Sequence, residues 1–348
     1  MTTAAPPPIP SETLVMRVDR PGGPEALVPA MVPLRRPGPG EVLMATRAIG
    51  VNHLDLYYRD GTLPFDAIPA PAGAPAHVPG LASVGEVLAV GAGVDRFGPG
   101  DRVAHAGPPL GAYAAHRVLP VGRLVRFPHM IPWDVGAAAL LPGIAVHMMV
   151  YGLGLRLDGR TVLVRGAAGG VGLILVRWAS AMGARVIAIV GTQAKAEAAR
   201  EAGAEHVVIG GSAAIADAGR AVLDMTGGAG VHLVFDAIGG ANFARLPALV
   251  RPFGRIVSFG QVAGPIPPLD VGVLGPQRSL GLDRPGVFAH IDDRERLREA
   301  TSALFTALVE GLLSPTVAGV LPLRQAADAH RRLEARDVIG SLVLVPDA

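Results

Sequence analysis

The chain has 348 residues, 50% of them hydrophobic and 17% charged, with a formal net charge of +2 and no cysteine. That length supports two domains with separate cores, and that composition excludes a disordered chain. Disulfides and cysteine-ligated zinc or iron–sulfur centres are excluded, and the small net charge makes no case for nucleic acid or an anionic membrane as partner.

Residues 1–12 are Pro- and Ala-rich and read as loosely ordered. The start has no basic stretch followed by an apolar core, and no uninterrupted apolar run of about 18 residues predicts a membrane span. A cytoplasmic location is the expectation. From Leu14 to about Phe127, strand-like runs (41–48, 85–89, 102–104, 114–118) alternate with Gly/Pro turns, which predicts a β-rich domain. VNHLDLYYRDG, residues 51–61, reads as a short helix or turn beside a strand. Near Pro132 the pattern changes, and helices are expected over 134–141 and 143–151.

From Thr161 the chain alternates strand and helix. Strand candidates are 161–165, 185–190, 206–209, 231–236 and 255–259, with helices between them, for example 193–202 and 213–225. Five strands with intervening helices predict a parallel, doubly wound sheet. Beyond Gly260 come a Pro/Gly-rich loop, a strand-like stretch at 279–283, helices over 292–310 and 323–335, and a last strand at 341–345. That strand lacks a βαβ partner nearby and is expected to return to the first domain. The domain expectation is therefore a β-rich domain over 1–130, a dinucleotide-binding domain over 131–285 and a returning segment over 286–348.

The most informative stretch is TVLVRGAAGGVG, residues 161–172. A short β-branched strand breaks into a glycine-rich turn, and a mostly apolar helix follows. Such a turn lets backbone approach a pyrophosphate, and the helix N-terminus offers free N–H groups and a positive dipole end. The usual Gly-x-Gly-x-x-Gly spacing would need glycine at Ala167; Gly169 and Gly172 hold its later two positions. The alternative is a βα turn that binds nothing.

The end of the second strand of such a fold reads the adenosine ribose, where an acidic residue favours NAD. Here the strand runs into Gly191-Thr192-Gln193-Ala194-Lys195, with no acid. Lys195, the only lysine in the chain, could meet a 2′-phosphate with a point charge, and Thr192 could donate to it. The expected cofactor is NADPH. A solvated helix lysine is the competing reading.

With these pieces in place the chain resembles the zinc-independent quinone oxidoreductases of the medium-chain dehydrogenase/reductase superfamily. The matching stretches are VNHLDLYYRDG (51–61), GAAGGVG (166–172), GTQAKAEAAREAGA (191–204), FDAIGG (235–240), GRIVSFG (254–260), DRPG (283–286) and EARDVIGSLVLVP (334–346). The resemblance implies a GroES-like β-rich catalytic domain, an inserted Rossmann domain, and a homodimer or homotetramer, of which a homodimer is expected. It also implies a metal-free site. Asn52 stands where zinc-dependent relatives have a ligating cysteine, and Gly80-Leu81-Ala82 stands where they have Gly-His-Glu.

Without zinc, hydride transfer favours electron-poor acceptors such as quinones and α,β-unsaturated carbonyls. The resemblance makes Tyr57, in VN-x-x-D-x-Y, the candidate polar group facing the nicotinamide, with Asn52 orienting the nicotinamide-ribose region. A core aromatic with a satisfied hydroxyl is the alternative for Tyr57. Gly169, Gly170, Val171 and Gly172 are expected at the pyrophosphate, and Phe259 and Gly260 near the nicotinamide half. Arg284 and Arg336 match arginines that approach the cofactor, although surface arginines would look the same. Three departures make the pocket greasier than the family pattern: Ala145 for a threonine, Gly80-Leu81-Ala82 for Gly-Thr-Glu, and Gly210 for a tyrosine. The loop 64–79 lines the same region by family position. Rival readings are a biosynthetic enoyl reductase acting on a polyketide-like intermediate and an NADPH-binding protein with little turnover.

Overall fold

The computed structural model describes residues 9–68, 73–210 and 215–347. The first eight residues of the Pro/Ala-rich start, residues 69–72 of the loop 64–79 and the first two residues of the helix expected at 213 lie outside the described residues.

In chain order the elements are β1 (Glu12–Val18), β2 (Leu27–Pro33), β3 (Glu41–Val51), α1 (His53–Arg59), β4 (Ala82–Val90), β5 (Arg102–Ala106), β6 (His116–Pro120), β7 (Leu124–Arg126) and α2 (Trp133–His147). Then follow β8 (Thr161–Arg165), α3 (Gly170–Ala181), β9 (Arg185–Val190), α4 (Gln193–Glu201), β10 (His206–Ile209), α5 (Ile215–Met225), β11 (Val231–Asp236), β12 (Val250–Ser258) and β13 (Gly281–Asp283). The chain ends with α6 (Val287–Asp292), α7 (Arg294–Val309), β14 (Val317–Pro322), α8 (Ala326–Glu334) and β15 (Ser341–Val345).

Two compact units result. One holds the described residues up to Leu141, Ile291–Val309 and those from Thr316 onward; the other holds Pro142–His290 and Glu310–Pro315. The first is built on the hairpin β1–β2 and a seven-stranded sheet of order β14-β15-β3-β4-β5-β7, with β6 on β3. β15 lies antiparallel to β3, with Leu342 opposite Val51. One core cluster packs Leu14, Met16, Ile49, Leu56, Tyr113, Leu323, Leu333 and Leu342, and a second packs Val42, Met44, Phe97, Leu119 and Leu124.

The second unit is an all-parallel sheet of order β10-β9-β8-β11-β12-β13. Numbered within the unit this is 3-2-1-4-5-6, the doubly wound order whose switch point lies between the first and fourth strands. Val162, Leu163 and Val164 of β8 are fully buried. Each contributes about 1.5–3 kcal/mol of burial, the ordinary pattern for a strand covered on both faces. The sheet has six strands rather than five, because Gly281–Asp283 pairs with β12.

Two helix expectations are corrected. The stretch 134–151 is one continuous helix, α2, running through Pro142 into a π-helical turn at Met148–Gly152. Proline removes one backbone bond, but Ala137–Leu141, Ile144, Val146 and Met148–Val150 are all buried, and that burial carries the helix past it. The helix from Trp133 to Gly152 is apolar enough to cross a membrane by length and composition, with mean hydropathy 1.6, but 78% of its 18-residue apolar window is buried inside the protein. It is therefore a core helix. Conversely, the helix expected over 292–310 divides at Asp293, whose carboxylate accepts the amides of Glu295 and Arg296 at 2.9 and 3.2 Å and starts α7 afresh.

Candidate active site

In the second unit the expected cofactor residues all follow the C-terminal ends of parallel strands, where ligands bind in this fold. β8 leads into the turn Gly166–Gly169 and then α3. Gly166 has φ +77°, a conformation open to glycine at little cost. At Gly172 a Cβ would lie 2.2 Å from the Gly166 carbonyl oxygen, so only glycine lets the helix pack on the turn. At Gly169 a Cβ would meet nothing nearer than 3.7 Å, so this glycine leaves open space beside the helix end. No side chain caps α3, and the first-turn amides of Gly170, Val171 and Gly172 have no partner within the helix. This cradle fits a pyrophosphate.

β9 leads to Thr192, the N-cap of α4, whose Oγ1 accepts the Lys195 amide at 3.3 Å. The hydroxyl proton stays available for a ligand. Lys195 is half-buried on the first turn of α4 and Thr192 is exposed. Beyond β12, the amides of Phe259 and Gly260 both bond the Asp236 carbonyl, at 2.9 and 3.3 Å. A Cβ on Gly260 would lie 2.5 Å from the Ala237 oxygen, so the β12 exit is pressed against the β11 exit. Arg284, just after β13, is exposed and donates to Gln261 Oε1 at 2.9 Å. At the switch point itself Arg165 and Asp236 form a buried ion pair at 2.7 Å, and Asp236 also accepts the amides of Ile238 and Gly239. Nothing in the sequence pattern singles out this pair, because its members sit 71 residues apart.

In the first unit, Asn52 is the N-cap of α1. Its backbone N–H donates to Asp55 Oδ2 at 2.8 Å and its side-chain amide to the Gly50 carbonyl at 3.0 Å. α1 turns Tyr57 and Tyr58 to different faces. Tyr58 is buried and rests on Phe65 with ring centroids 5.7 Å apart, whereas Tyr57 is half-exposed. Burial, reinforced by Asp60, raises the Tyr57 hydroxyl above its ordinary range, so it holds its proton at neutral pH. Arg336, also in this unit, is exposed with φ +56°, and it closes α8 by donating its amide to Leu333 at 3.0 Å. Its charge reaches His53 on α1 and, after burial, is the second cause holding that histidine low.

Beneath α1 lies a polar network. The Tyr113 hydroxyl bonds Asp55 Oδ2 at 3.3 Å and His330 Nε2 at 2.9 Å. Arg59 Nη1 meets His330 Nδ1 at 3.5 Å, and Arg59 Nη2 pairs with Glu334 at 2.5 Å. Asp55, Tyr113 and His330 are fully buried and Arg59 nearly so. One proton arrangement satisfies every contact: Arg59 donates to Nδ1, the neutral ring donates from Nε2 to the tyrosine oxygen, and tyrosine donates to Asp55. Burial drives His330 down to about 3, with Arg59 adding to it, and drives Asp55 up to about 7. Gly80 makes room for this network, since at φ +105° a Cβ there would lie 2.6 Å from the Tyr113 ring.

The expected residues thus divide into groups. Asn52, Tyr57 and Arg336 belong to the first unit, while Gly169, Gly170, Val171, Gly172, Thr192, Lys195, Phe259, Gly260 and Arg284 belong to the second. Leu81 and Ala82 are fully buried apolar side chains in the place of metal ligands. Among the described residues no three His, Cys, Asp or Glu side chains are grouped for a metal.

A GroES-like sheet joined to a Rossmann sheet carrying this glycine cradle defines a two-domain, nicotinamide-dependent oxidoreductase of the medium-chain type. Comparison with known proteins narrows the class. Residues 38–129 match the alcohol dehydrogenase GroES-like domain, and residues 170–282 match the zinc-binding dehydrogenase domain. The chain is 37% identical to a 2-haloacrylate reductase of a Burkholderia species, over 95% of this chain and 98% of that one. It is 36% identical to a quinone oxidoreductase of Pseudomonas aeruginosa, over 93% and 97%. The Escherichia coli quinone oxidoreductase, solved in complex with NADPH, superposes with a TM-score of 0.87 at 33% identity, covering 96% of this chain and all of that one. The chain belongs to the zinc-independent quinone oxidoreductase branch of the medium-chain dehydrogenase/reductase superfamily.

Proposed function

We propose that this protein is an NADPH-dependent, zinc-independent reductase that delivers hydride to a quinone or an α,β-unsaturated carbonyl. The observation that carries the reading is the α3 cradle followed, at the β9 exit, by Thr192 and Lys195 with no acid. NADPH, when bound, supplies the hydride. Gly169, Gly170, Val171 and Gly172 bind the pyrophosphate through backbone N–H groups and the helix dipole. Thr192 and Lys195 hold the 2′-phosphate, with Arg336 as a further cation for it. Phe259 and Gly260 flank the nicotinamide half, and Arg284 approaches the cofactor. Asn52 orients the nicotinamide-ribose region, and Tyr57, protonated at neutral pH, donates a hydrogen bond to the acceptor oxygen as negative charge develops there.

Two relatives support the two arms of the substrate class: quinone oxidoreductases, and a 2-haloacrylate reductase whose name states an activated alkene. A homodimer in the cytoplasm completes the proposal. Family resemblance supports the dimer, and light scattering on the purified protein tests it. The decisive experiment follows NADPH oxidation against a panel of quinones and enones, with NADH in parallel. Turnover on either arm with NADPH preferred is expected. Tight NADPH binding without oxidation of any acceptor overturns the enzymatic reading in favour of a cofactor-binding protein.

A further inference from the structure

Arg117, on β6, is 6% exposed. Its partners are all neutral: Nη1 meets Ser83 Oγ at 3.3 Å and His105 Nδ1 at 3.1 Å, and Nη2 donates to the carbonyls of Pro109 and Leu110 at 3.1 and 3.0 Å. Among the described residues no carboxylate pairs with it. A guanidinium buried without a counter-ion is uncommon, since desolvating a lone charge costs several kcal/mol. His105 offers no compensation. It is itself fully buried and held neutral, by burial first and by Arg117 second. The four Nη protons are taken, and the Nε–H has no part in these bonds.

Arg117 lines a cavity of about 50 Å³ between β1, β6 and the loop 109–111. By the volume one ordered water needs, that is room for about four water-sized groups. The polar lining is Thr13, Arg35, His116 and Arg117, with no acidic side chain. Arg35 is already matched by Glu41, bonded through both guanidinium nitrogens at 2.5 and 2.7 Å. The cavity therefore carries one unmatched positive charge, that of Arg117. The half-buried Leu34, Leu110 and Val118 make the rest of the wall largely apolar.

We propose that this cavity is a binding site for a small monoanion, a short-chain monocarboxylate whose carboxylate meets Arg117 and whose tail lies against Leu110 and Val118. A single unmatched cation suits one negative charge, and the apolar wall suits a carbon tail over a hydrated oxyanion. The site lies wholly within the first unit, and its ligand is independent of the acceptor proposed for hydride transfer.

The test is calorimetric titration of the full-length protein, with and without saturating NADPH, using propionate, acetate and phosphate. Saturable binding of propionate, tighter than phosphate, is expected in both states. Arg117→Met, which removes the charge, and Leu110→Trp, which fills the cavity while leaving Arg117 in place, are each expected to weaken it at least tenfold. An anomalous bromide peak beside Arg117 in wild-type crystals is expected and needs no variant. The proposal is overturned if wild type binds no propionate, if both variants bind it as wild type does, or if bromide occupies other places and not this one.

Discussion

The Tyr113 hydroxyl oxygen lies 2.9 Å from Nε2 of His330, across 217 residues of sequence. Tyr113 belongs to the hydrophobic cluster that also holds Leu56 and Leu333. The pair ties α8 to α1, which carries Asn52 and Tyr57, through Asp55. Tyr113→Phe removes the bridge, leaves the buried His330 N–H without an acceptor and leaves Asp55 Oδ2 with the Asn52 amide alone. Leaving buried groups unsatisfied costs about 1–3 kcal/mol. Urea denaturation is expected to show a loss of that size, and an unchanged midpoint would mean the hydroxyl does not hold the network.

The same network predicts a pH signature. Asp55 is raised from about 3.9 in the unfolded chain to about 7, so its contribution is fully present below about pH 4 and is lost as pH rises to 7. His330 is lowered from about 6.5 to about 3, so its contribution is present above pH 6.5 and is lost as pH falls toward 3. The two oppose each other across one window and leave a shallow profile. Asp55→Asn deletes only the first. Relative to wild type, this variant is expected to gain stability steadily from pH 4 to 7, by on the order of a few kcal/mol. A wild-type-minus-variant difference that is flat in pH contradicts the shift.

Two glycines of the cradle should separate folding from binding. Gly172→Ala places a methyl 2.2 Å from a backbone oxygen, so lower stability and loss of NADPH affinity are expected together. Gly169→Ala has open space, so the folded protein should keep its melting temperature while the methyl obstructs the pyrophosphate. NADPH titration beside thermal unfolding checks both, and equal destabilisation by the two variants would disprove the distinction.

Lys195→Ala should raise the KM for NADPH about 10- to 100-fold and leave that for NADH nearly unchanged, since a charge-assisted bond to phosphate contributes about 1.5–3 kcal/mol. Equal effects on both cofactors would remove Lys195 from the 2′-phosphate.

Tyr57→Phe should lower kcat about 100-fold or more if the hydroxyl assists charge or proton at the acceptor, with NADPH affinity kept. Tyr58→Ala, which deletes a buried ring packed on Phe65, should lower stability instead. Full turnover by Tyr57→Phe would assign that ring to packing alone.

Residue order alone determined the features whose physics is local. A strand, a glycine turn and an apolar helix occupy consecutive residues, so the expectation of a phosphate cradle at Gly169–Gly172 is legible from the sequence. The missing acid beside Lys195 is likewise read at one strand end. Pro142 misled a local reading, because burial of the flanking residues outweighs one lost backbone bond. Only the tertiary structure decided which distant groups share one desolvated space. Arg165 meets Asp236, Tyr113 meets Asp55 and His330, and Arg117 finds four neutral acceptors and no carboxylate. None of these contacts has a sequence period. They arise where sheets and helices close on polar atoms that must find partners once water is gone.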